Sequence, residues 1–175
     1  MNKWVAFLIV LLVFSGCHKN DAPIPTPNTA ACDMAAIYAA NEKKVTVDDG
    51  IWGTIAFMQG NCMPMIGPSP TSYCITCPVK RTVRFYGYTL RSQAVPFQNS
   101  LSFFESFSTP LIAEVETDAD GFFQLQLAPG TYSVVTLEDG KLYASGMDGQ
   151  GGLNPVKYDS GLLKVNLTMT YKAVF

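Results

Sequence analysis

The stretch that most restricts what this chain can fold into is residues 117–135, TDADGFFQLQLAPGTYSVV. Phe123, Leu125 and Leu127 alternate with Gln124 and Gln126, the period of two expected of a strand with one buried face. Asp118, Asp120 and Gly121 make a tight turn before that strand, and Ala128, Pro129 and Gly130 make another after it. Tyr132 and Val134 resume the alternation on a return strand. A Pro-Gly pair suits a type II turn, which splays two strands when it serves as a bare two-residue hairpin. The expectation is a hairpin with a longer or bulged connection.

The same pattern recurs along the body of the chain. Ile51, Gly53, Ile55 and Phe57 against Trp52, Thr54 and Met58 predict a first strand, and residues 79–90 a second, with Val83 and Phe85 on one face. Residues 111–116 predict a third strand, residues 141–144 a short one, and residues 161–175 a long last one in which Leu163, Val165, Leu167 and Met169 alternate with polar residues. A Gly-, Pro- and Cys-rich loop over 60–78 and a mobile loop over 146–152 separate them, and residues 91–109 carry no clear period. Residues 31–44 are alanine-rich and predict a short helix with a weak apolar stripe. The reading is all-β: an antiparallel Greek-key β-sandwich of about seven strands, with that short N-terminal helix. Residues 45–175 form the sandwich, a single domain for a chain of 175 residues.

The order of motifs resembles the carboxypeptidase regulatory-like domain, a transthyretin-like Greek-key sandwich. The matching residues are Gly53-Thr54-Ile55, Met63-Pro64, Pro78-Val79, the run from Thr117 through Asp118 and Gly121 to Phe123, and Pro129-Gly130-Thr131-Tyr132. The resemblance covers residues 50–138 and implies a non-catalytic module. The loop over 60–78 is longer and richer in cysteine than that family's.

At the N-terminus, Lys3 precedes the apolar run 4–14, which is too short to span a bilayer and reads as a signal peptide over residues 1–16. Phe14-Ser15-Gly16-Cys17 resembles a bacterial lipobox. That resemblance implies cleavage before Cys17, acylation of its thiol and amine, and attachment to the lipid bilayer, two or three chains being enough for stable anchoring. Residues 17–44 then comprise the lipidated cysteine, a Pro-rich tether and the short helix. The residues after Cys17, with Lys19 and Asp21, resemble lipoproteins of the Bacteroidota. The expected address is therefore the outer membrane of a bacterial envelope, the side of the membrane being left open.

The remaining cysteines, Cys32, Cys62, Cys74 and Cys77, are even in number in an oxidising compartment, which favours two disulfides with three connectivities open. A redox role for Cys74-Ile75-Thr76-Cys77 would want a helix N-terminus, and Pro78 leads into a strand instead. Zinc on four thiolates is the weaker reading. Met58, Met63 and Met65 near Cys62 fit gap-filling better than soft-metal binding. Glu116, Asp118, Asp120 and Gly121 imitate the start of an EF-hand loop, but the closing acid would fall at Leu127, so the carboxylates are read as turn chemistry.

His18, the one histidine, lies in the tether, which leaves the domain without Ser-His-Asp or Cys-His machinery. The glycines at 146, 149, 151 and 152 lack the ending of a phosphate loop. Asn166 sits in a glycosylation sequon in form only. A net charge of -2 provides no basic face for nucleic acid. Phe103, Phe104 and Phe107 have two readings: buried, they cap the sandwich; exposed, they form a sugar-stacking patch. Burial is favoured. The expectation is a lipoprotein without enzymatic activity, cofactor or metal, whose sandwich is structural or binds another envelope protein or a glycan.

Overall fold

The computed structural model describes residues 32–64 and 74–175; the signal run, Cys17, His18, the rest of the tether and Met65 lie outside the described residues. One helix, α1 (Met34–Glu42), precedes twelve strands among the described residues. They are β1 (Gly50–Asn61), β2 (Ile75–Pro78), β3 (Thr82–Gly87), β4 (Ala94–Pro96), β5 (Phe103–Phe107) and β6 (Leu111–Glu116). The others are β7 (Phe122–Leu125), β8 (Gly130–Glu138), β9 (Lys141–Tyr143), β10 (Pro155–Tyr158), β11 (Leu162–Lys164) and β12 (Leu167–Val174).

These strands make two sheets, as the alternation predicts. In the first, β1 is central: β7 and β2 pair antiparallel along one side, and β11 and β12 pair parallel along the other. The second runs β4-β5-β9-β8-β3-β6, with β10 also on β8, and its pairings are antiparallel. The expected antiparallel sandwich therefore holds except where β1 meets β11 and β12. The strand number exceeds the expected seven because the long last run breaks in two at Val165-Asn166, because residues 91–109 contribute β4 and β5, and because β2 and β10 form in stretches not read as strand. Part of the 60–78 loop is also strand: β1 runs on to Asn61, and β2 folds back on it with Cys77 opposite Phe57.

The expected hairpin at residues 122–134 is an arch. β7 pairs with β1 in the first sheet, whereas β8 pairs with β3, β9 and β10 in the second. The Pro-Gly turn splays its flanking strands far enough to send them into opposite layers. The Tyr132 hydroxyl donates to the Ala128 carbonyl and clasps the arch at its narrow point. Phe123 from one limb and Tyr132 and Val134 from the other then meet in the same core.

That core lies between the sheets and contains Ile51, Ile55, Val83, Phe85, Phe123, Val134, Tyr143, Tyr158 and Met169, all buried. A second cluster, Tyr86, Phe104, Val135, Leu142, Ala144 and Leu153, uses the other side of β3 and β8. Tyr86 and Val135 are sequence neighbours of Phe85 and Val134, so the alternation in this region is apolar on both faces. The break between β11 and β12 is sealed by side-chain chemistry: Val165 N–H donates to the Trp52 carbonyl, and Thr54 N–H donates to Asn166 Oδ1. Asn166, expected within a strand, thus stands in for a missing backbone acceptor in the ladder.

Helix α1 begins where the Asp33 side chain accepts from Ala36 N–H at 3.0 Å. Asn41 is its one buried residue, donating 2.9 Å bonds to Thr54 Oγ1 and to the Asp120 carbonyl. With so little apolar burial, the helix is held by those bonds and by a disulfide at its foot, Cys32–Cys77.

Candidate functional site

The structure resolves the open connectivity: Cys32 pairs with Cys77 and Cys62 with Cys74. Cys74 and Cys77, adjacent in the sequence motif, are oxidised to different partners and do not form a redox pair with each other. All four thiolates that zinc would need are consumed in these bonds. Met58 and Met63 remain near Cys62 on the β1–β2 hairpin, Met63 being exposed.

Asp118 and Asp120 hold an ammonium group. Lys44, at the end of α1, donates to Asp118 Oδ2 and Asp120 Oδ2, each at 2.7 Å. Asp118 Oδ1 accepts from the N–H groups of Asp120 and Phe122, closing the turn that enters β7. Burial alone would raise the Asp118 carboxyl, but the Lys44 bond and the Phe122 N–H outweigh it and hold it below the usual range. Gly121 is required in this turn by its positive φ of 71° and by the Ile55 carbonyl, which a Cβ would overlap. Carboxylates that looked like the start of a metal loop therefore pin α1 to the sandwich. No group of three or more metal-ligating side chains occurs among the described residues.

The three phenylalanines are divided between the two clusters. Phe104 is 0 % exposed, with the Arg91 guanidinium 4.9 Å from its ring centre. Phe107 packs on Phe104 and Tyr86 at 5.5 and 5.0 Å. Phe103 turns the other way and meets Tyr143 and Tyr171, both at 5.1 Å. Neither face of the Phe104 ring is open to a sugar. Phe104→Ala should lower unfolding free energy by about 3 kcal/mol, and chemical denaturation with an unchanged slope would show it.

Among the described residues, two tyrosines are strongly perturbed. Tyr158 is pushed up to about 12 by burial and by Asp49, whose carboxylate accepts its hydroxyl at 2.7 Å. Tyr171 is likewise pushed up to about 12, by burial and by Glu138. Both shifts keep a phenol protonated, the opposite of what a proton acceptor needs near neutral pH. The described residues contain no histidine.

Two clefts remain. The smaller, about 220 Å³, lies where β9 and β10 part, between Thr136, Tyr143, Asn154 and Met169. Several of its polar groups are engaged: Thr136 Oγ1 donates to Met169 Sδ, and Asn154 accepts from Gly146 N–H and donates to the Val134 carbonyl. The larger, about 460 Å³, is lined by Tyr88, Thr131, Asp148, Gly149 and Gln150. Tyr88 follows β3, Thr131 opens β8, and the other three belong to the loop between β9 and β10.

That loop is held in place, contrary to the expected mobility of residues 146–152. Asp148 Oδ1 accepts from Gln150 and Gly152 N–H at 2.9 and 2.8 Å, and Asp148 Oδ2 accepts the Tyr88 hydroxyl at 2.8 Å. Two further backbone bonds, Arg91 N–H to Gly151 and Leu153 N–H to Thr89, tie it to the segment after β3. Gly152 leaves room for the Tyr88 ring, which a Cβ would overlap. The Gly152 N–H and the Tyr88 hydroxyl hold the Asp148 carboxyl below its ordinary range, and the same bond pushes the Tyr88 phenol up. Sequence reasoning missed Tyr88 and Asp148 as partners because sixty residues separate them. The local signal was an Asp followed by glycines, which marks a turn and not a ligand. Comparison with family models, with curated proteins and with solved structures finds no match.

Proposed function

We propose that this chain is a bacterial outer-membrane lipoprotein, anchored through acylated Cys17, whose β-sandwich serves as a non-catalytic structural or binding module. The observation that carries the reading is the lipobox-like Phe14-Ser15-Gly16-Cys17 at the end of the apolar run, followed by four cysteines that close as two disulfides. Stable disulfides belong to exported proteins. The scaffold we favour is the carboxypeptidase regulatory-like one. The Asp118 turn into β7 and the Pro129-Gly130 arch into β8 support it, while the parallel pairing of β1 with β12 is an addition this chain must accommodate.

A binding role fits better than a reaction. The side chains around the larger cleft include a carboxylate, a phenol, a hydroxyl and an amide, but no nucleophile paired with a base. Cys17→Ala should abolish labelling by radioactive palmitate and move the protein out of the membrane fraction. Unchanged membrane attachment of that variant would overturn the anchor. In situ cross-linking of the wild-type protein in its native envelope, followed by partner identification, separates a structural role from a binding one.

A further inference from the structure

We propose that the cleft between Tyr88 and the 148–152 loop binds a neutral saccharide, with the Tyr88 ring along one sugar face and Asp148, Gln150 and Thr131 taking its hydroxyls. This rests on the binding-module reading and deepens it.

The chemistry of the lining narrows the ligand by exclusion. It contains one carboxylate and no cationic side chain, which disfavours phosphate, sulfate or carboxylate ligands. Its lining is of mixed character, with one aromatic ring and no Leu, Ile, Val or Met side chain, which disfavours a lipid chain. An aromatic surface with several planar or hydroxyl hydrogen-bonding groups around it matches a ligand that has C–H faces and a rim of hydroxyls. A volume of about 460 Å³ is in the range of small-ligand sites and accommodates one or two pyranose rings.

Preorganisation is the second support. Three donors hold the Asp148 carboxylate, from Gln150, Gly152 and Tyr88, so it presents its remaining lone pairs in one orientation without ligand. Charge-assisted bonds from sugar hydroxyls to such a carboxylate are stronger than neutral ones. The Tyr88 ring is backed by Gly152 and the loop is tied to the Thr89–Arg91 backbone, so little ordering remains at binding. Thr131 and Gln150 are exposed and reach the cleft from β8 and the loop tip. This arrangement also relocates sugar recognition away from the Phe103–Phe107 segment, whose central ring is buried.

The test uses the full chain purified in a non-glycosidic detergent. A glycan array of neutral and uronic-acid-containing oligosaccharides is followed by calorimetry on the retained compounds. Neutral oligosaccharides are expected to bind. Gln150→Ala and Thr131→Ala, both surface changes, should each weaken binding about tenfold, and Tyr88→Ala should abolish it, with unchanged circular dichroism for the first two. Asp148→Asn, which keeps an acceptor for the loop N–H groups, should also lose most of the affinity. Neutral-sugar binding undiminished by Gln150→Ala and Thr131→Ala would overturn this site while leaving saccharide recognition elsewhere on the domain. Binding confined to uronic acids would overturn the charge argument. No saccharide binding at all would sink the proposal, and the cross-linking experiment would still decide the broader binding-module reading.

Discussion

Gly53→Ala should cost more than about 4 kcal/mol, a large fraction of the 5–15 typical of a domain, and move the urea midpoint far below that of the wild type. Gly53 lies in the central strand, where a Cβ would overlap the Val165 carbonyl oxygen and lie 2.6 Å from its carbon. Neither backbone can retreat. Val165 N–H is bonded to the Trp52 carbonyl at 2.8 Å, and on the other side Gly53 is paired with Phe123. Moving β1 outward would open the β7 pairing and the core beneath Ile51 and Ile55 together. Gly149→Ala is the control, since nothing lies within 4 Å of its Cβ position. Urea denaturation of both variants checks the claim, and a Gly53→Ala protein with near wild-type midpoint would refute it.

The second large effect concerns the Cys32–Cys77 bond. Its cysteines are 45 residues apart, which by loop-closure entropy corresponds to about 4 kcal/mol of stability. The Cys62–Cys74 bond spans 12 residues and corresponds to about 3 kcal/mol. Loop length alone understates the difference. A nine-residue helix does not persist alone in water, and α1 buries only Asn41. The Cys32→Ser/Cys77→Ser variant is therefore expected to lose both global stability and the docking of α1. Hydrogen exchange should show amides 37–42 unprotected, while Cys62→Ser/Cys74→Ser leaves them protected. Retained protection in the first variant would mean that the Asn41 and Lys44 bonds suffice to hold the helix.

How much of this was legible beforehand follows from the range of each interaction. Alternation in FFQLQL and in residues 161–175 identifies strands because the pleat is local. The Asp118 turn is equally local, its acceptor and donors lying within four residues. The ion pairs that give the same carboxylate its second role involve Lys44, seventy-four residues away, and leave no periodic trace. Residues 91–109 were unreadable because their apolar side chains serve two clusters at once, with Phe103 facing one way and Phe104 the other, and two short turns interrupting the strands.

The sequence by itself determined an all-β domain with four pairable cysteines behind an apolar N-terminal run. It did so because hydrophobic periodicity, turn-forming residues and cysteine parity act over a few neighbours or are simple counts. Only the tertiary structure decided that the Phe122–Val134 segment is an arch and not a hairpin, since period-two alternation is the same whether two strands bond edge to edge or face each other across a core. It alone chose among the disulfide pairings, and it alone brought Tyr88 to Asp148. Those are contacts between distant segments, selected by how two sheets close on one another.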